Sequence, residues 1–292
     1  MRIAIIGGSG QMGQWLARFL RQDGQEVVIT GRDQARLREA SRELGVAAAP
    51  LSEAVEGADA VVISVPIDSV AEVARQLGPH TRAGQAIIDI TSVKVSPLEA
   101  LHRHIKAGTV LGVHPMFGPG ARGLAHQNFI LTPTGPAEAE LAGKVSRYLA
   151  ERQASATLMT PEEHDQTMAV VLGLSHFVAI VAADTLLELD HLQESQSISG
   201  SSYKLLLALA EGVVSQEPAF YASLQMSLPN MARLEKRFQE TAGAWADLVA
   251  GADQAGFARR LTDLKARLAG KDPDFNLAYQ NMYRIFEGLK QP

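Results

Sequence analysis

The 292-residue chain contains no cysteine, which excludes disulfides and thiolate chemistry and suits a cytoplasmic protein. Its formal net charge is −5 and it has no long basic block, so no nucleic-acid partner is expected. No signal-peptide layout opens it; the apolar run at the N-terminus has the length of a strand. The most apolar stretch, 168–187, contains Ser175, His176 and Asp184 and reads as a buried helix rather than a membrane span. Internal repeats, low-complexity segments, metal-ligand spacings and a Ser–His–Asp order are all missing. What remains is ordinary for a globular protein. Hydrophobic residues make up 46% and charged residues 20%, enough for a sizeable core. The length suggests about two domains.

The first thirteen residues carry the clearest signal. Met1 to Ile6 reads as a short buried strand, and Gly7-Gly8-Ser9-Gly10-Gln11-Met12-Gly13 follows at once. From Gln14 to Arg21, apolar Leu16, Phe19 and Leu20 mark one face of a helix. Strand, glycine turn and helix are the setting in which G-x-G-x-x-G binds a dinucleotide. Gly8 is expected to allow the tight turn, Gly10 the approach of a pyrophosphate, and Gly13 close packing of helix on strand. Ser9, Gln11 and Met12 belong to the same cradle, where the helix N-terminus offers N–H donors to phosphates.

Residues 26–30 read as the second strand. NAD-binding versions of this fold place an acidic side chain at its end, against the ribose 2′-hydroxyl. Here the strand ends in Thr30 and is followed by Arg32, which can pair with a 2′-phosphate. NADP is therefore favoured over NAD. The alternative is that Asp33 caps the next helix and Arg32 is a solvated charge. Further helices are expected over 34–44, 51–57 and 70–77, and strands over 46–49, 59–66, 86–90, 110–113 and 129–132. This alternation predicts a doubly wound parallel sheet for residues 1–158. From about 160 the strand signals stop. Helices are expected from Pro161 onward and over 203–214, 219–240, 253–268 and 274–289, giving an all-helical domain over 159–292.

In open α/β sheets, ligands sit beyond the carboxyl ends of the strands. Three candidate sets fall there. Ser64-Val65-Pro66 ends one strand and faces the nicotinamide side of a cofactor. Ser92 ends another, beside Lys94. His114 ends a third, before the rigid turn Pro115-Met116-Phe117-Gly118-Pro119. Neutral imidazole accepts a proton near pH 7, which makes His114 a candidate base. The hydroxyl of Ser92 is a candidate for fixing its tautomer or bonding substrate. A structural histidine holding the turn is the alternative. His164 and His176 lie about 120° apart on a regular helix, which argues against a shared metal. His176 reads as a core histidine, and His164-Asp165 as residues serving a helix terminus.

The glycine turn, Ser64-Val65-Pro66, Thr91-Ser92-Val93-Lys94, His114 to Pro119 and His164-Asp165-Gln166-Thr167-Met168-Ala169 occur in this order at fitting intervals. Together with Tyr203-Lys204-Leu205 and Gln216 to Ala222, they resemble the prephenate/arogenate dehydrogenase family of tyrosine biosynthesis over nearly the whole chain. The resemblance implies a Rossmann domain, an all-helical dimerisation domain and hence a homodimer. It also implies oxidative decarboxylation of a cyclohexadienyl substrate with NADP or NAD. His114 then matches the histidine that takes the proton of the ring hydroxyl, Ser92 the serine that supports it, and His176 a second active-site histidine. One departure stands out: Gly212 falls where many bacterial members have an arginine for a substrate carboxylate. Lys204, Arg122 or a residue of the partner subunit is expected to replace it, Lys204 first. The departure leaves open an amino analogue such as 4-amino-4-deoxyprephenate. The rival readings are another NADP-dependent reductase and a non-catalytic NADP sensor. The chain starts at its first strand, so a fused chorismate mutase ahead of it is not expected.

Overall fold

The computed structural model describes residues 1–188 and 191–288; the helix end expected at Leu289 lies outside them. The chain divides into two compact units. One is Met1–Ala169 with Ala222–Pro229; the other is Val170–Tyr221 with the described residues from Asn230 on.

The first unit is built on an eight-stranded sheet of order β3-β2-β1-β4-β5-β6-β7-β8. Its strands are β1 (Arg2–Ile6), β2 (Glu26–Thr30), β3 (Ala47–Ala48), β4 (Ala60–Ile63), β5 (Ala86–Asp89), β6 (Thr109–Pro115), β7 (Asn128–Thr132) and β8 (Ser155–Leu158). Strands β1 to β6 are parallel; β7 runs antiparallel to β6, and β8 parallel to β7. Six helices accompany them: α1 (Gln11–Gln22), α2 (Gln34–Leu44), α3 (Leu51–Glu56), α4 (Val70–Leu77), α5 (Val95–His104) and α6 (Pro136–Ala150). The near-continuous apolar strands follow from helices on both faces of the sheet. Ala4 and Ile6 join Val61, Ile63, Leu77 and Leu101 in one core cluster, while Ile3 and Ile5 join Leu20, Ile29, Leu37 and Val62 in another. This is the two-residue alternation of a strand. A third cluster gathers Trp15, Leu111, Val113, Phe129 and Leu131.

Register decides where the chemistry sits. Thr30 pairs with Ile6, Ile6 with Ile63, Ile63 with Asp89, and Asp89 with Gly112. The segments that follow these residues therefore leave the sheet along one edge. They are the glycine turn, Ser64–Pro66, Thr91–Lys94 and His114.

Beyond the sheet, α7 (Pro161–Met168) begins with a capping box between Thr160 and Glu163 and closes the first unit. A π-helical turn, Ala169–Leu174, separates it from α8 (Ser175–Leu187). The second unit continues with α9 (Leu192–Ile198), α10 (Ser201–Val214), α11 (Pro218–Ser227), α12 (Met231–Ala250), α13 (Gln254–Ala269) and α14 (Ala278–Gly288), with the end of α11 counted in the first unit.

Three expectations need correction. The helix expected over 219–240 is two helices, broken where Pro229 precedes Asn230 in a left-handed conformation (φ 61°). The strand expected over 110–113 runs on to Pro115, because His114 and Pro115 pair with Ile130 and Phe129 of β7. The stretch 168–187 is helical but mostly not buried, Met168, Ala169 and Ala179 being its buried apolar side chains. Pro161–Leu187 is long and apolar enough to cross a membrane, yet only 11% of its most apolar window lies inside the structure, and Val170, Val171, Ile180, Val181 and Leu187 are exposed.

Candidate functional site

The glycine turn joins β1 to α1 where the strand order reverses between β1 and β4. It is Gly7, rather than Gly8, that takes the left-handed conformation (φ 82°). A β-carbon there would fall 2.1 Å from the Ser64 carbonyl oxygen, so the turn and Ser64-Val65-Pro66 lie against each other. Gly8 packs on Ile29, and Gly13 on the Gly7 carbonyl. Gly10 is the N-cap of α1, with no side-chain cap and no acidic residue in the first turn. The N-terminal N–H groups of α1 are thus open to an anion such as a diphosphate. Ser9, Gln11 and Met12 stand on the same turn and first helical residues, and Ser9 Oγ neighbours Gly31. Arg32 is exposed two residues past β2. Asp33 caps α2, its carboxylate accepting from the N–H groups of Ala35 and Arg36 at 3.0 and 3.1 Å.

At the ends of β5 and β6 the structure gathers a buried polar cluster. His114 is 4% exposed, and its Nδ1 lies 2.8 Å from His164 Nε2. His164 Nδ1 in turn lies 2.7 Å from Asp165 Oδ1. The Asp165 carboxylate also accepts from the backbone N–H groups of Lys94 (2.7 Å) and Val95 (3.0 Å), capping α5 from another helix. Lys94 Nζ, fully buried, pairs with Asp89 Oδ2 and donates to the Asp89 carbonyl at 3.2 Å. Thr91 N and Oγ1 donate to the Asp89 carboxylate at 3.2 and 2.9 Å. Room for the lysine stem comes from Gly112, where a β-carbon would stand 2.9 Å from Lys94 Cδ.

Charge and burial set the protonation of this cluster. Burial, aided by the Lys94 charge, holds the His114 imidazole well below the usual histidine range. Burial also lowers His164, opposed by its hydrogen bond to Asp165. It lowers Lys94 as well, opposed by Asp89.

Ser92 is half-buried beside this cluster but does not bond His114, contrary to one expectation; the Nδ1 position is taken by His164. Reading His164-Asp165 as residues serving a helix terminus captures only part of their role, since Asp165 caps a different helix and His164 bridges to His114. The sequence did carry faint signals: Asp89 interrupts the apolar run Ala86-Ile87-Ile88-Asp89-Ile90, and a buried charge needs a partner.

The turn after His114 is held rigidly. Phe117 meets the rings of Trp15 and Phe129 edge-on, and Trp15 Nε1 donates to the Ala121 carbonyl at 2.6 Å. Arg122 follows, exposed. In the second unit, the Nδ1 of His176 is buried without a hydrogen-bond partner among the described residues, and its ring meets Tyr221 edge-on at 4.9 Å. Burial lowers its pKa. Lys204 is exposed on α10, 6.0 Å from the centre of the Phe286 ring, and Gly212 has no neighbour among the described residues where a side chain would begin.

A mostly parallel sheet with an uncapped glycine turn at its switch point defines a Rossmann-type nucleotide-binding protein. Its particular family follows from comparison with known proteins. Residues 16–158 match the model of the prephenate dehydrogenase nucleotide-binding domain, and residues 160–263 that of the prephenate dehydrogenase dimerization domain. The chain belongs to the prephenate dehydrogenase family. It is 35% identical over 263 residues to a probable arogenate/prephenate dehydrogenase of Methanocaldococcus jannaschii, covering 89% of this chain and 59% of that one. To the T-protein of Enterobacter agglomerans it is 31% identical over 261 residues, covering 87% and 64%. The chain thus spans about three fifths of the length of these curated relatives. The fold is shared with prephenate dehydrogenase from A. aeolicus, solved in complex with hydroxyphenyl propionate and NAD+ (TM-score 0.74, 21% identity, 93% of this chain and 98% of that one). It is also shared with arogenate dehydrogenase from Synechocystis (TM-score 0.68, 20% identity, 93% and 100%).

Proposed function

We propose that the protein oxidatively decarboxylates prephenate or arogenate, giving 4-hydroxyphenylpyruvate or tyrosine, with NADP as hydride acceptor. The observation that carries this reading is the state of His114: a buried imidazole at a strand end, kept neutral by burial and by Lys94, and so able to take a proton near pH 7. In this reaction the proton of the C4 hydroxyl passes to His114 as C4 becomes a carbonyl. The C1–carboxylate bond then breaks, carbon dioxide leaves, and its electron pair completes the aromatic ring. The resulting phenolate recovers the proton from His114. Ser92 contacts the substrate hydroxyl, and His176 serves as the second histidine.

When bound, the nicotinamide supplies the acceptor for the C4 hydride. Gly8 to Gly13 and the α1 N-terminus hold its diphosphate, with Ser64, Val65 and Pro66 beside them. Preference for NADP is supported by Arg32, exposed past β2, and by Asp33, whose carboxylate is already used in capping α2. For the substrate carboxylate, Lys204 and Arg122 are the proposed cations; both are exposed and neither has a carboxylate partner among the described residues. The domain boundary between residues 158 and 159 is supported by the two family models, which end at 158 and begin at 160. A homodimer is supported by the dimerization-domain match and by the uncovered apolar side chains of α8 and α10. A cytoplasmic location belongs to the same reading, because such a step draws on the soluble cofactor pool.

Initial rates with prephenate, arogenate and 4-amino-4-deoxyprephenate, each with NADP and with NAD, test the proposal. Turnover of prephenate or arogenate is the expected result. Turnover of the amino analogue alone would replace the proposed substrate, and Gly212 is the feature that favours that second reading. No turnover with any of them would overturn the enzymatic assignment.

A further inference from the structure

Two residues outside the proposed contacts with substrate and cofactor form a chain behind His114. The distances alone, 2.8 Å from His114 to His164 and 2.7 Å from His164 to Asp165, leave the direction of the hydrogen bonds open. Asp165 decides it. Both of its carboxylate oxygens accept backbone N–H groups, Oδ1 from Lys94 and Oδ2 from Val95. An ionised carboxylate has only lone pairs to offer. His164 must therefore present Nδ1–H to Asp165. A neutral His164 then has only a lone pair at Nε2, and His114 must donate Nδ1–H to it. Protonation of His164, which would reverse the second bond, is opposed by its full burial and by the nearby Lys94 charge.

We propose that His164, oriented by Asp165, is a positioning residue that locks His114 in the Nδ1–H tautomer and so leaves its Nε2 lone pair as the acceptor for the substrate proton. The other tautomer would put a hydrogen where the base is needed. Asp165 has a second consequence: by capping α5 at Lys94 and Val95 it ties the segment carrying Ser92 and Lys94 to the same chain. The charged and titratable groups facing His114 are thus Lys94 and Asp89 from the β5–α5 segment and His164 and Asp165 from α7.

This inference rests on the proposed reaction for its kinetic consequence but not for its structural one. Nitrogen-15 NMR of the histidines in the unliganded wild-type protein reads the His114 tautomer directly, without any turnover. The expected spectrum has His114 protonated at Nδ1 and His164 protonated at Nδ1. A His114 protonated at Nε2 overturns the inference even if the enzyme turns over prephenate. Conversely, the expected spectrum in a protein inactive on all three substrates supports the chain while removing the proposed reaction. Where turnover is found, His164→Leu removes the acceptor and is expected to lower kcat at least about 100-fold, the low end for loss of a positioned base, and at most about 10⁴-fold, the cost of the wrong tautomer in the serine-protease triad. KM and cofactor affinity stay near wild type. His164→Gln offers an amide oxygen at the reach of Nε2 and is expected to restore kcat to within about tenfold of wild type, since one neutral acceptor is enough to hold the tautomer. A kcat in His164→Leu equal to wild type, or equal losses in Leu and Gln variants, would show that His164 does not position the base. Should His164→Leu fail to fold, the wild-type spectrum and the Gln variant still decide.

Discussion

The two compact units differ in how they dispose of apolar and polar groups. The first encloses three apolar clusters and, at one edge of its sheet, a polar cluster in which Asp89, Lys94, His114, His164 and Asp165 are buried and mutually bonded. In the second, Ala179, Leu207, Ala210, Val213 and Met231 are the buried hydrophobic residues among those described, while Ile180, Val181, Leu206, Leu209 and Val214 stand exposed on α8 and α10. The first unit is a finished interior that can hold a chemically tuned group. The second has apolar faces that a single chain leaves in water, as a subunit interface does before it is formed.

The comparison is most sharply tested at His114. His114→Asn is expected to reduce turnover about 10²- to 10⁴-fold, the range for loss of a general base, while cofactor binding followed by fluorescence titration stays unchanged. Because His114 is held below the ordinary histidine range, wild-type kcat/KM should stay flat as pH falls through about 6.5 and decline only at lower pH, where the imidazole finally protonates. An acid limb centred on the ordinary histidine value would mean that the site is less shielded than its burial indicates.

Lys94→Met comes next. It leaves the Asp89 carboxylate buried without its cation, and breaking such a pair costs about 3–5 kcal/mol. Denaturant unfolding should register that loss, and Lys94→Met combined with Asp89→Leu should recover most of it. Equal stability of the single variant and wild type would remove the pair from the interior of the first unit.

Leu209→Glu examines the other side of the comparison. A carboxylate on the exposed face of α10 is solvated in a monomer but unpaired in an apolar interface. Association of the proposed homodimer, measured by sedimentation, should weaken at least about 100-fold, or about 2.7 kcal/mol, with the helical content intact. An unaffected dimer would locate the interface elsewhere. The smallest effect is expected from Arg32→Glu, an exposed position: NADP affinity should drop about tenfold, about 1.4 kcal/mol, with NAD affinity little altered. Equal affinities before and after would leave Arg32 as a solvated charge.

Much of the first unit was legible in the chain. Apolar runs such as Ala60-Val61-Val62-Ile63 announce central strands, and Gly7 to Gly13 announces the nucleotide turn, because both depend on residues adjacent in sequence. His114 was legible as a residue at a strand end. The antiparallel direction of β7 was not, since a buried run reads alike in either direction, and neither was β8, a four-residue strand with no buried residue and hence weak periodicity. Nor was the exposure of α8 legible, because an apolar helix reads alike whether its cover is its own unit or another surface.

The sequence by itself determined which elements form, where the phosphate-binding turn lies and that His114 stands at the end of β6, since these follow from local pattern and spacing. Only the tertiary structure decided what surrounds that histidine. Lys94 meets Asp165 across 71 residues, and His114 meets His164 across 50. The physical reason is burial. Water is excluded from these groups only once sheet, α5 and α7 close together, and each buried charge or ring nitrogen must then find its partner among residues that sequence proximity does not pair.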